Sequence, residues 1–496
     1  MVRPGVCGLR AVVFGVLSLV ALVAANISAS EWTRFRGPNG SGIAADDTAP
    51  PTTWSETKNL QWSVDLPGQG VSCPIIVGDK VYVTSWTGDG PDNLVRHLTC
   101  YDRKSGDQVF DKAIEPVVKD EPYEGMFRQT GYTASTPASD GERIYCFFGV
   151  SGVYAFDMKG NEIWRQSVGT DFDERKWGTA SSPVPVGDLL IVPAAAESRS
   201  IVALRKSDGS EAWRFDSDTL NGTWSTPVVV DLPDGKQEVV FAVPGAVWAF
   251  DPVSGKQKWM CKGADSNSAC ASPIAHDGIV YAIGGREGGG LAIRAGGSGD
   301  VTESQVVWSK NLQARIGTAV IKDGLIYWPS GDLLNCIDAE TGDRVYQKRM
   351  EAPKAVAQAR RIFHLVAKET PVAAEAPAAA GDAPARAAEN PQPGPGDRPY
   401  GGQGQGRGRG RGRGGRGGFG GGGFLSQDYS SPVVAGDKMY FARRGGEVYV
   451  FQLGREFEQL AVNKFPGEAD YSASPAIADG QLFIRSSKKL YCVAKE

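Results

Sequence analysis

The chain has 496 residues, 53 Lys and Arg against 57 Asp and Glu, a net charge of −4 and 41% hydrophobic residues. That is apolar sequence enough for a large buried core, and a charge too balanced for a protein built as a whole to coat nucleic acid or an anionic membrane. Its three histidines, His97, His276 and His364, lie far apart, which argues against a multi-His metal site or a His-based triad.

In chain order, Arg3 and Arg10 come first, then an apolar run from Ala11 to Ala25 and the small-residue segment Ile27-Ser28-Ala29. Residues 1–29 read as a secretory signal peptide, because the run is shorter than the roughly 20 residues a membrane span requires. Cys7 precedes the run and is badly placed for a lipid. The mature chain is therefore expected to be exported, periplasmic or extracellular, with no transmembrane segment. Residues 30–58 begin Glu31-Trp32-Thr33-Arg34-Phe35-Arg36-Gly37-Pro38, an irregular extension whose Trp32 and Phe35 need a surface to cover. Arg34 and Arg36 are either ligand groups or part of that packing.

From residue 59 a repeat takes over. Ser72-Cys73-Pro74, Ser135-Thr136-Pro137, Ser181-Ser182-Pro183, Ser225-Thr226-Pro227, Ala271-Ser272-Pro273, Thr318-Ala319, Ser430-Ser431-Pro432 and Ala473-Ser474-Pro475 each open a short apolar run. The steps between them are 63, 46, 44, 46, 46, 113 and 43 residues, and a period near 45 marks a repeat architecture. Each period reads as four strands separated by turns. The third strand ends in Asp-x-x-Ser/Thr-Gly at Asp102 to Gly106, Asp251 to Gly255 and Asp338 to Gly342, where glycine supplies positive φ. A large ring follows at Phe110, Trp164, Trp213, Trp259 and Tyr346. Four strands and one ring per repeat predict an all-β, eight-bladed β-propeller of four-stranded antiparallel blades, with the rings packed blade against blade. The last repeat ends at Glu496 one strand short, and Leu60-Gln61-Trp62-Ser63-Val64-Asp65-Leu66 is the spare strand that completes it, which removes the exposed sheet edges.

Two departures from the period are informative. Between the first two repeats, about 17 extra residues include Lys119 to Thr130, a long polar and aromatic loop suited to function or to ornament. Between repeats six and seven, residues 351–425 run from a basic stretch through Ala/Pro-rich sequence to Gly401–Gly423 with five arginines. That composition cannot build a core, so a disordered insertion is expected, either a plain flexible loop, a tether to an anionic surface or glycan, or a nucleic-acid binder, the last disfavoured by export. It holds 11 Lys and Arg against 6 Asp and Glu, and without it and the leader the body carries −11. Among the eight cysteines, Cys100, Cys336 and Cys492 fill the small slot taken elsewhere by Ala155, Ala203 and Ala249. Cys261 and Cys270 are candidates to pair in an oxidising compartment.

The apolar strand, the Asp-x-x-Ser/Thr-Gly turn and the trailing Trp resemble the pyrroloquinoline-quinone-type propeller repeat. With eight repeats and terminal strand exchange, residues 59–350 and 426–496 resemble the BamB-type outer-membrane assembly factors and the quinoprotein dehydrogenases. Trp32 to Gly42 is similar to the segment after the signal peptide in secreted propellers of planctomycete-type bacteria. Quinoprotein dehydrogenases carry a vicinal disulfide over the quinone, a Glu/Asn/Asp calcium site and a catalytic Asp; no adjacent cysteines occur here, so no such role is carried over. BamB-type factors are lipoproteins, and no anchoring cysteine follows the apolar run.

Aromatic and arginine side chains on the loops entering the first strands are the candidate ligand or partner contacts: Arg128, Tyr132, Trp177, Trp224, Arg315, Tyr429 and Tyr471. The alternative for these rings is packing between loops. The leading expectation is a non-catalytic binding scaffold of the cell envelope with a protein or polysaccharide partner, no catalytic or metal-ligating residue and no cofactor. A quinone-dependent oxidoreductase using pyrroloquinoline quinone with calcium is one alternative; a carbohydrate-binding or carbohydrate-cleaving propeller with aromatic platforms beside paired carboxylates is the other.

Overall fold

A computed structural model describes residues 31–263, 267–284, 288–314, 316–352, 427–465, 467 and 470–496. The leader expected over 1–29 and, apart from Glu351 and Ala352, the insertion expected over 351–425 lie outside them. Eight sheets follow one another around a ring. The first blade contains Ile75–Val77, Lys80–Thr87, Val95–Asp102 and Gln108–Ile114. The last contains Ala476–Ala478, Gln481–Arg485 and Lys489–Val493, and its fourth strand is Leu60–Asp65, with Trp62 opposite Cys492. The eight-bladed, strand-exchanged architecture read from the sequence is the one observed.

The repeated motifs now acquire physical roles. The residue before each proline fastens its blade to the next. Cys73 N–H donates to Thr136 Oγ1 at 3.0 Å, Thr136 N–H to Ser182 Oγ at 3.0 Å and Ser182 N–H to Thr226 Oγ1 at 3.0 Å. Thr226 N–H donates to Ser272 Oγ at 2.9 Å, and the chain continues through Thr318, Ser431 and Ser474 at 2.8–2.9 Å. Ser474 hydrogen-bonds the Cys73 thiol and closes the circle. At seven of the eight positions a proline follows and has no N–H, so the backbone there leaves no second donor to satisfy; Ala319 is the exception. The preceding serine ties the first strand to the second, as Ser225 Oγ does to Ala242 O at 2.6 Å.

The rings dock between blades. Trp213 lies on Gly255, where a Cβ would sit 2.4 Å from the indole, and its Nε1 donates to Pro252 O at 2.9 Å. Asp251 holds this turn by accepting from Val253 N and Ser254 N, which leaves the Pro252 carbonyl to the neighbouring blade. Trp62, Trp164 and Trp308 repeat the arrangement on Arg103, Lys206 and Ala339. The small slot in the third strand is the position directly opposite the ring: Cys100 faces Phe110, Ala203 faces Trp213 and Cys336 faces Tyr346.

Trp259 departs from the pattern. Its Nε1 donates to buried Glu238 at 2.8 Å, and the same Oε2 accepts from Gly296 N at 3.2 Å. Blade five lacks the Asp turn; its longer turn instead lays Gly299–Asp300 parallel to the edge strand of blade four. Cys261 and Cys270, the candidates to pair, are not bonded to each other.

The extension crosses the face opposite the loops that enter the first strands. Trp32 pairs with Ile76 in blade one, Asn39 bonds both backbone groups of Val229 in blade four, and Ala44 donates to Val434 in blade seven at 2.8 Å. Arg36, 1% exposed, donates to the carbonyls of Thr318, Ala319 and Pro432. Arg36 is thus a packing residue; Arg34, also buried, donates to Asn39 Oδ1 at 2.7 Å within the same segment, and burial lowers both guanidinium pKa values.

Candidate functional site

With one face covered, the central space is a blind funnel of about 180 Å³, floored by Phe35 and the fastening ring. Its walls come from loops entering the blades: Met126, Gln129, Trp177, Trp224, Ile316 and Tyr429. No Asp, Glu, Lys, Arg or His is among the described residues that line it.

Three of the seven sequence candidates meet there. Trp177 and Trp224 pack 4.7 Å apart at 33°, Trp224 Nε1 donates to Gly178 O at 2.9 Å, and the Arg175 guanidinium stands 5.7 Å above the Trp224 ring. Tyr429 carries the Arg444 guanidinium at 5.7 Å. Trp177 leads into blade three and Tyr429 into blade seven, so the two stand on opposite sides of an eight-fold ring. The other candidates lie elsewhere. Tyr132 is buried against Trp86 and Phe127, its hydroxyl on Glu121 O at 2.7 Å. Tyr471 is buried beside Tyr491. Arg128 is exposed, bonded to Tyr123 O at 3.0 Å and outside the funnel lining. Arg315 lies outside the described residues.

A second concavity escaped the sequence reading. Beside the funnel, the loop before blade two, the loop before blade three and the short helix Ala195–Ser198 enclose a cleft of about 30 Å³. Arg96 is buried in its wall, with Nη2 on Asp120 Oδ1 at 2.6 Å and Nη1 on Ser151 Oγ at 3.1 Å. Glu197 accepts from the Thr179 hydroxyl. Burial, with Asp173 and Glu121 nearby, pushes the Glu197 carboxyl up to about 7; burial and Asp173 push Glu121 to about 7 as well. Asp120 and Asp173 are raised, mainly by burial. The available signal was a glutamate directly after the apolar run Leu189–Ala196, together with Asp120-Glu121 in a loop already conspicuous for its length.

A quinone tricarboxylate held with calcium does not fit these donors. The described funnel lining has no charged side chain to meet carboxylates, the Trp224 face is covered by Arg175, and no three acidic, His or Cys side chains among the described residues converge on a metal-sized point. No helix among those residues is long and apolar enough to cross a membrane.

The model of the family described as outer membrane protein assembly factor BamB matches residues 37–172 and 149–378. Outer membrane protein assembly factor BamB of Burkholderia pseudomallei (strain K96243) is 28% identical over 220 residues, 43% of this chain and 52% of that protein, so the match spans about half the relative's length. Among solved structures, BamB from Moraxella catarrhalis aligns at 12% identity with a TM-score of 0.53, covering 87% of this chain and 96% of its own. A europium-containing methanol dehydrogenase aligns at 11% and 0.58, covering 94% and 98%. The quinohemoprotein alcohol dehydrogenase of Comamonas testosteroni aligns at 10% and 0.56, covering 94% and 81%. At such identities the structural likeness is one of fold, shared by assembly factors and dehydrogenases alike. The family match extends over more than half of the chain, from the covering segment through the sixth blade, and the chain belongs to the outer membrane protein assembly factor BamB family.

Proposed function

We propose that the chain is an exported, non-catalytic binding scaffold of the cell envelope that presents its funnel-mouth face to a protein partner. The observation that carries this reading is the inequality of the two faces. The face crossed by Trp32 to Ala44 is filled, whereas the other keeps an open concavity with Trp177 half-buried at its wall and exposed Arg128 and Phe172 on the loops around it. Aromatic and arginine side chains on such a rim are what protein interfaces use as anchors. The leader over residues 1–29 supports export, and the relative's name supports a place in outer-membrane protein assembly. The neutral funnel lining favours neither the quinone reading nor a glycosidase with paired carboxylates.

The test is site-specific photo-crosslinking in the cells that make the protein, with the reactive residue at position 128 or 177 on the rim, or at 234 or 323 on the covered face. A defined protein adduct from the rim positions alone is expected. Equal labelling from both faces, or adducts to polysaccharide in place of protein, would overturn the reading.

A further inference from the structure

The cleft beside the funnel is its chemical opposite. Among the described residues that border it, Asp120, Glu121, Asp171, Asp173 and Glu197 stand against one guanidinium, that of Arg96, with Lys176 and Arg175 acting on Glu121 and Asp173 from outside the lining. That guanidinium is already committed to Asp120 Oδ1, Ser151 Oγ and, through Nε, Tyr132 O at 3.2 Å. Acceptor capacity is what remains. Glu197 is 1% exposed and its Oε2 has no partner; Asp120 is 9% exposed and its Oδ2 has none either. A buried carboxylate oxygen without a donor is costly, so it persists where a ligand supplies one. Phe172, 43% exposed, adds an apolar wall to the same space.

The size and spread of the acceptors select the cation. About 30 Å³ admits a group as large as one or two waters. A divalent metal needs its oxygens gathered around one point at about 2.0–2.6 Å, and among the described residues no three ligating side chains gather that way. Acceptors distributed around a cleft with an aromatic edge suit a cation that has several N–H donors and a carbon stem.

We propose that this cleft binds an organic ammonium group, with Glu197 and Asp120 accepting its N–H bonds and Phe172 lying against its methylenes. The group arrives either as a free alkylamine or as a lysine side chain of a bound protein, and the site does not depend on the scaffold reading.

The experiment is titration calorimetry on the full chain at low salt and at pH 8, where the Glu197 carboxyl is ionised and the amine is still an ammonium, with n-butylammonium chloride and, separately, with a blocked Gly-Lys-Gly peptide. Both saturate and compete with each other, and neutral n-butanol does not bind. Glu197→Gln weakens both by at least about tenfold, since a charge-assisted bond becomes a neutral one. Glu121→Gln, at a half-buried position less able to disturb folding, weakens both to a smaller extent. A peptide bound at least tenfold tighter than the amine identifies a protein-borne lysine as the source; equal affinities identify a free amine. Saturation by neither probe, binding unchanged in both variants, or calcium binding that excludes the amine would each overturn the proposal.

Discussion

Ser182→Ala breaks one link of the fastening ring and tests whether the repeated hydroxyl is there for that link. Thr136 N–H donates to Ser182 Oγ at 3.0 Å, both residues are 1% exposed, and Ser182's own N–H goes to Thr226 and is untouched. The substitution therefore orphans a single buried donor, at a cost of about 1–3 kcal/mol. The value should fall in the lower half of that range, because Ser182 lines the funnel and water entering there can replace the oxygen. Ser182→Cys provides the internal control, since Cys73 occupies the equivalent place in this same ring. A thiol is a weak acceptor, so the cysteine variant should lose less than the alanine variant and more than nothing. The assay is the thermal melt combined with hydrogen exchange of the Thr136 amide, which should quicken while amides in blade seven keep their protection. An alanine variant that melts and exchanges like the wild type, or a cysteine variant worse than alanine, would refute the ring's energetic role.

Gly255→Ala should cost about 1–3 kcal/mol more in urea unfolding than Gly278→Ala, because both glycines have positive φ but only at 255 does the new Cβ strike an indole. Arg36→Met leaves the carbonyls of Thr318, Ala319 and Pro432 without their donor and should lower the unfolding free energy by about 2–4 kcal/mol, with residues 31–44 becoming the first site of limited proteolysis. Stability should fall as pH rises from about 4.5 to about 7: Glu197 holds its proton in the folded state up to about 7 and in the unfolded chain only to its ordinary 4.5, so the folded state binds more protons across that window. The gap is worth up to about 3 kcal/mol, Glu121 adds in the same direction, and Glu197→Gln should make the fall of the urea midpoint between pH 5 and pH 8 shallower, leaving the part that Glu121 contributes.

The blade count, the strand exchange and the docking of rings were legible because each is encoded in a pattern repeated along the chain: Ser-x-Pro, Asp-x-x-Ser/Thr-Gly, a trailing ring and a missing last strand. The role of the Ser/Thr before proline was not, since its partner lies one repeat away and nothing local distinguishes a fastening hydroxyl from a turn hydroxyl. Site candidates chosen as rings on entry loops divided according to what stands behind each. Trp177, Trp224 and Tyr429 face the empty axis, whereas Tyr132 finds Trp86 on the neighbouring strand and Tyr471 finds Tyr491, so burial outcompetes exposure for both. Glu238 shows the same limit: a glutamate in a strand reads as surface until its Oε2 is seen to take the Trp259 indole and the Gly296 amide together.

The contrast between a neutral funnel and a charged cleft follows from the repeat itself. A fastening position filled by a hydroxyl in seven blades and by the Cys73 thiol in the eighth cannot lose its acceptor at one blade without breaking a link, so the funnel floor is held to small, neutral, hydrogen-bonding residues. Specialised chemistry is confined to segments present once. The 17-residue excess before blade two, the Asp171–Trp177 stretch and the helix Ala195–Ser198 are such segments, and all the carboxylates of the cleft lie in them. The same rule accounts for blade five, where the loss of the Asp turn coincides with the added strand and the buried glutamate. In this ring, chemistry that distinguishes the protein from its fold is to be sought where the period breaks, and the cleft is the place where three such breaks adjoin.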